Sequence, residues 1–241
     1  MKYGQLGKTG IEVSRLCVGC LSFGQPFSDS HMWTLNPEET ETIVRKALDL
    51  GFTFFDTANT YSHGTSEEYL GRAIKNSVSR DKVILATKVY FNEGHLSKKA
   101  IQREIDGSLK RLNTDYVDLY IIHRFDRTTP IEETMEALND VVRSGKVRYI
   151  GASSMWAKVR ALGASAMYGY QFYSMQVAAE RNGWTKFCSM QNHYNLLYRE
   201  DEREIIPLCK QEGVALTPFS PLAAGRLARV EWKSDSPRSQ M

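Results

Sequence analysis

No apolar run in this 241-residue chain approaches the roughly 20 residues that a helix needs to cross a bilayer. The amino-terminal M-K-Y-G-Q-L-G-K-T-G lacks the apolar core of a secretory signal, so a cytoplasmic location and no membrane partner are expected. Cysteine is scarce: the 4 present are too few for a disulfide framework in a chain this long. Cys17 and Cys20 form a C-x-x-C, but an offset of three along a strand puts side chains on opposite faces. No second pair or flanking histidine completes a zinc site, and no metal is expected. Charge of one sign is lacking too. The net charge of +3 leaves no electrostatic footprint for nucleic acid, while an anionic small ligand remains compatible. A dinucleotide fingerprint is absent, since no G-x-G-x-x-G follows the first strand. Gly7-Lys8-Thr9 resembles the end of a phosphate loop, but Lys2 stands where its first glycine belongs. No strand precedes it and no helix follows.

What is present is ordinary globular material, 42% hydrophobic and 24% charged, read as one α/β domain over residues 1–241. The organising stretch runs from Phe52 to Tyr61, F-T-F-F-D-T-A-N-T-Y. An apolar run entering polar turn residues reads as a strand buried on both faces, and it ends on Asp56. V-I-L-A-T-K ends likewise on Lys88, and Y-V-D-L-Y-I-I-H on His123. Three successive buried strands thus each deliver one ionisable residue at the carboxyl end.

Helices alternate with these strands. Asn36-Pro37-Glu38-Glu39 opens one with a cap, a proline and early acids. Ser66 is a candidate cap for the next, and Ile101, Ile105 and Leu109 stripe a third over about 98–112. Thr129-Pro130-Ile131-Glu132 reads as a capping box for the fourth. Seven strands are legible, counting V-R-Y-I-G-A-S-S, F-C-S-M-Q-N and V-A-L-T-P-F-S. Such alternation demands a parallel sheet. Polar residues at every carboxyl end favour a (β/α)₈ TIM barrel, whose chemistry sits on that face. No eighth strand–helix unit is read before Met241, so the expectation is a barrel incomplete at its carboxyl end. Residues 146–157 and 158–169 are near-copies. One barrel position holds one strand, and the upstream copy, which keeps Ser153 and Ser154, is expected to form it.

Asp56, Tyr61, Lys88 and His123 then converge at one rim. A tyrosine of ordinary pKa near 10 is a poor acid at neutral pH, and a lysine cation beside it is expected to lower that pKa. Asp56 holds the lysine in place, and His123 can donate to an oxygen gaining negative charge. These are the parts for protonating a carbonyl oxygen while hydride, which no side chain supplies, reaches carbon from a cofactor.

F-D-T-A-N-T-Y, A-T-K-V, I-I-H-R-F-D, I-G-A-S-S-M, S-M-Q-N-H-Y-N and F-S-P-L-A-A-G-R-L together resemble the aldo-keto reductase family, in order and at family spacing. The likeness is nearest the branch with bacterial oxidoreductases and potassium-channel β subunits. It implies Tyr61 as acid, Lys88 and Asp56 as its tuning pair, and His123 as carbonyl orienter. It also implies NADP as cofactor, with Ser153, Ser154 and Gln191 at the nicotinamide and Ser220, Leu222 and Gly225 along the pyrophosphate. The substrate is then a small aldehyde or ketone. The rival reading is a cofactor-binding regulatory subunit of the channel-β kind, or an inactive isoform.

Overall fold

The structure is a computed structural model and describes residues 1–26, 32–153 and 167–228. It opens with an antiparallel hairpin, β1 (Tyr3–Gln5) and β2 (Glu12–Ser14), with Tyr3 opposite Ser14. Seven further strands form one parallel sheet in chain order. They are β3 (Cys17–Gly19), β4 (Phe54–Asp56), β5 (Ile84–Val89), β6 (Val117–Ile122), β7 (Val147–Ser153), β8 (Ser189–Gln191) and β9 (Ala215–Leu216). Six helices alternate with them: α1 (Pro37–Asp49), α2 (Thr65–Ser77), α3 (Lys98–Leu112), α4 (Ile131–Arg143), α5 (Gly169–Asn182) and α6 (Ile205–Glu212).

Side-chain alternation along the strands sorts the core into two clusters. Phe54, Ala86, Leu119 and Ile121 point to the concave side, where Leu6 and Val13 of the hairpin fill the floor. Phe55, Leu85, Val89, Tyr120, Ile122, Ile150 and Met190 point outward into the helix layer. The sheet therefore curls around a packed axis as in a (β/α)₈ barrel, and the described residues supply seven of its eight strands. The Tyr149 hydroxyl donates to the Thr9 carbonyl at 3.0 Å, tying the hairpin across the bottom.

Local expectations were met at α1, where Asn36 and Glu39 form a reciprocal capping box, and at α3, which Ser97 caps. Two caps differ. Gly64, with φ 93°, precedes α2, and Ser66 lies inside the helix with its hydroxyl bonded elsewhere. Pro130 precedes α4 without a side-chain cap, because Thr129 donates its hydroxyl to Asp126. The fifth strand of the parallel sheet, β7, comes from the upstream near-copy and pairs with both neighbours. Residues 158–166 of the downstream copy lie outside the described residues, and Gly169 already opens α5.

Candidate active site

Parallel pairing brings the three strand ends to one rim, with Asp56 beside Ala86 and Lys88 beside Ile121. Lys88 Nζ donates to Asp56 Oδ2 at 2.6 Å, to the Thr57 carbonyl at 2.7 Å and to the Tyr61 hydroxyl at 3.2 Å. Three donors thus meet three acceptors, and the lysine side chain is wholly buried. The Tyr61 ring meets the His123 ring edge-on, with centroids 5.8 Å apart. His123 hangs from β6 through its backbone N–H, which donates to the Val89 carbonyl at 2.9 Å. All four expected residues therefore share one site.

Burial disfavours a lone ammonium. It pulls Lys88 down, but Asp56 and then Tyr61 more than offset this, so the group stays above its ordinary pKa and charged. For Tyr61 the balance runs the other way. Burial pushes the phenol up, Lys88 opposes it, and the net direction is upward. This corrects the expectation of a lowered phenol: in the protein alone, desolvation outweighs the lysine. The result is a tyrosine that carries its proton at neutral pH. His123 is held well below its ordinary pKa by burial, then by Lys88 and Arg124, and is therefore neutral. A neutral imidazole donates one hydrogen bond without adding a charge.

Other residues also shape the rim. Phe91, exposed at the mouth, packs edge-on against His123 at 5.0 Å, and Arg124 lies 5.3 Å from the Phe91 ring centre. Asn59 Nδ2 donates to Asn92 Oδ1 at 3.3 Å and to Glu104 Oε2 at 2.9 Å, joining the loops after β4 and β5. A cavity of about 170 Å³ opens beside these groups, lined by Tyr90, Arg124, Phe125, Ser153 and Met167 among others. The only advance signal was residue type, a loop aromatic and an arginine beside a strand-end histidine.

The other half of the rim carries the residues expected to meet a cofactor. Ser153 is buried and donates to the Gln191 carbonyl at 3.1 Å. Ser154 lies outside the described residues. His193 stacks on both Tyr198 and Phe219, at 4.6 and 4.9 Å. Asn195, after β8, donates through Nδ2 to the carbonyl of Ser220 in the loop after β9, at 3.1 Å. There Ser220, Ala223 and Ala224 take left-handed φ values of 53°, 49° and 56°, and Gly225 one of 95°. Strained backbone of this kind gathers at ligand clamps, and small residues let a ligand approach the main chain. Leu222 is 54% exposed on the same loop. A small buried hydroxyl, a stacked aromatic shelf and a glycine-ended turn on one rim fit a flat, phosphate-bearing dinucleotide. Arg226 is exposed in this loop, whereas Arg229 and Lys233 lie outside the described residues. Among the described residues no cluster could hold a metal ion, and no helix is long and apolar enough to cross a membrane.

The family model described as "Aldo/keto reductase family" matches residues 15–241. The chain is 44% identical to a versiconal hemiacetal acetate reductase of Aspergillus parasiticus, covering 98% of this chain and 71% of the relative. It is 42% identical to an aldo-keto reductase of Alternaria alternata, covering 94% and 66%. A putative aryl-alcohol dehydrogenase of Schizosaccharomyces pombe is 43% identical, covering 94% and 69%. The chain thus spans about two thirds of the length of these curated relatives. The crystal structure of a thermostable aldo-keto reductase in complex with the inhibitor epalrestat superposes with a TM-score of 0.75 at 31% identity, covering 96% of this chain and 76% of that one.

Proposed function

This chain belongs to the aldo/keto reductase family, and we propose that it reduces small aldehydes or ketones to alcohols with NADPH. Family membership supports a nicotinamide cofactor, which would supply hydride to the carbonyl carbon. NADP rather than NAD is our reading of the family resemblance. In this reading Tyr61 gives its hydroxyl proton to the carbonyl oxygen as negative charge gathers there. Lys88 stabilises the phenolate that remains, and Asp56 keeps the lysine charged and aimed. Neutral His123 donates to the same oxygen and orients it. Ser153, Ser154 and Gln191 would hold the nicotinamide end, and Ser220, Leu222 and Gly225 the pyrophosphate. The observation that carries the reading is Lys88 Nζ bonded at once to Asp56 and to the Tyr61 hydroxyl, with the His123 ring against the phenol.

Aromatic aldehydes are the favoured substrates. Phe91 offers an apolar wall beside His123, and one relative is named for aryl alcohols. A cytoplasmic location accords with this chemistry. The test is NADPH absorbance in the presence of nitrobenzaldehyde, with NADH in parallel. Steady oxidation faster with NADPH is expected. A chain that binds NADPH and turns over no aldehyde or ketone would support the regulatory alternative instead.

A further inference from the structure

Two wholly buried carboxylates outside the proposed reacting groups are paired with arginines: Asp118, held by Arg80 and Arg148 near the opposite ends of the strands, and Glu67, whose partner lies beneath the turn that carries Tyr61. Glu67, in the first turn of α2, is fully buried and accepts from Arg111 Nε of α3 at 2.6 Å. Its other oxygen accepts from Thr87 Oγ1 of β5 at 2.5 Å. Thr87 and Lys88 are neighbours on one strand, so their side chains leave opposite faces. Lys88 reaches inward to Tyr61, and Thr87 reaches outward to Glu67.

Arg111 also presses on the turn that carries the tyrosine. A β-carbon on Gly64 would lie 2.8 Å from Arg111 Cδ. Within Tyr61–Gly64, Ser62, His63 and Gly64 take successive left-handed φ values of 48°, 54° and 93°. Backbone of that kind persists only where its surroundings hold it. Neighbouring hydroxyls hold it: Thr65 Oγ1 donates to the Ser62 carbonyl at 2.7 Å, and Ser66 Oγ donates to the Cys20 carbonyl at 2.7 Å and bonds Thr57 Oγ1 at 2.9 Å. Stability alone does not call for a buried ion pair, since apolar side chains of like volume often serve as well. Geometry does. The carboxylate bonds both the strand bearing Lys88 and the arginine beneath the turn bearing Tyr61.

We propose that Glu67, Arg111 and Thr87 are positioning residues that set the separation of the Tyr61 hydroxyl from Lys88 Nζ. The proposal rests on the reading of Tyr61 as the proton donor. Its geometric core does not need turnover to be tested. The groups acting on the phenol are Lys88, Asp56 and Cys20, with the His123 ring at its edge, and none of them is altered in the test.

The test combines Glu67→Gln with Arg111→Met, which removes both charges of the pair together, and adds Thr87→Val and Arg111→Lys as separate variants. Phenol ionisation is read as the ultraviolet difference between each protein and the same protein carrying Tyr61→Phe. The paired variant is expected to melt cooperatively near wild type, with the Tyr61 phenol titrating at higher pH as Lys88 draws away. Its kcat is expected to fall by up to about a hundredfold, the scale of a misplacement near 1 Å, with KM unchanged. Arg111→Lys should recover much of that loss. An unchanged titration together with unchanged kcat overturns the proposal. If the paired variant fails to fold, Thr87→Val decides, because it keeps the ion pair: an upward shift in the titration supports the proposal, and none overturns it. A wild-type protein without turnover would sink the reductase reading, and the titration would still decide this one.

Discussion

The rim of the barrel has two unlike halves. After β4, β5 and β6 the side chains interlock, with Lys88 bonded to Asp56, to Tyr61 and to a backbone carbonyl. After β7, β8 and β9 the rim is a small hydroxyl, an aromatic stack and a loop of left-handed backbone ending at Gly225. The first half is charged, buried and closed on itself before any ligand arrives. The second presents exposed side chains such as Leu222 and main chain. On the proposed function, the difference follows the tasks. Proton transfer needs groups held at fixed separation, which buried ion pairs provide. A large cofactor must enter and leave, which suits small residues and an open loop.

The largest expected effect comes from breaking the first half at its centre. Lys88→Met should abolish turnover, a loss of at least ~10²-fold, and cost about 3–5 kcal/mol because Asp56 is left buried without its counter-charge. Adding Asp56→Asn should recover much of the stability and none of the activity. Denaturant melts and aldehyde turnover read both, and a single variant as stable as wild type contradicts the account.

Gly151 of β7 stands where the two halves meet at the barrel axis. A β-carbon there would lie 2.4 Å from Ser189 Oγ and 3.3 Å from Ile121 Cγ1. Gly151→Ala should therefore cost about 1–3 kcal/mol by overpacking, read from the shift in denaturation midpoint at constant slope. A neutral result would mean that the axis has room.

A smaller effect separates the halves by pH. Burial pushes the Asp126 carboxyl up, but bonds from Thr129, Thr128 and the Leu96 amide outweigh it, and its pKa falls to about 2. A depressed folded pKa means stability present above the ordinary carboxylate range and lost as pH falls toward about 2. The stability gap between wild type and Asp126→Asn should close across that window. A gap that persists unchanged through it would contradict the assignment. The smallest change is expected in the second half. Leu222→Ala should shift stability by no more than about 0.5 kcal/mol, as exposed substitutions do, while weakening NADPH binding. Equal cofactor affinity in that variant removes Leu222 from the site.

The strands, and the gathering of Asp56, Lys88 and His123 at one rim, were legible in the sequence because three buried runs each end on an ionisable residue, with Tyr61 five residues past the first of them. The Glu67–Arg111 pair was not, since 44 residues separate its members and nothing local joins them. Helix α5 escaped notice as well. Its buried Phe172, Met175, Ala178 and Ala179 are interleaved with exposed Tyr170 and Tyr173, and its start overlaps the end of the repeated segment. The Ser66 and Thr129 caps were misread for a shared reason: each hydroxyl is taken by a partner outside the helix, Cys20, distant in sequence, for one and Asp126 for the other. The direction of the Tyr61 shift was misjudged because the lysine could be read from the sequence and the burial could not.

The central claim is that Tyr61, braced by Lys88, delivers the proton. Single-turnover mixing of NADPH-saturated protein with an aromatic aldehyde tests it most directly, in wild type and in Tyr61→Phe. The account predicts a rate about 10²–10⁴-fold lower in the variant, with NADPH affinity essentially unchanged. A variant that keeps more than about a tenth of the wild-type rate would contradict it, since a general acid contributes far more than that.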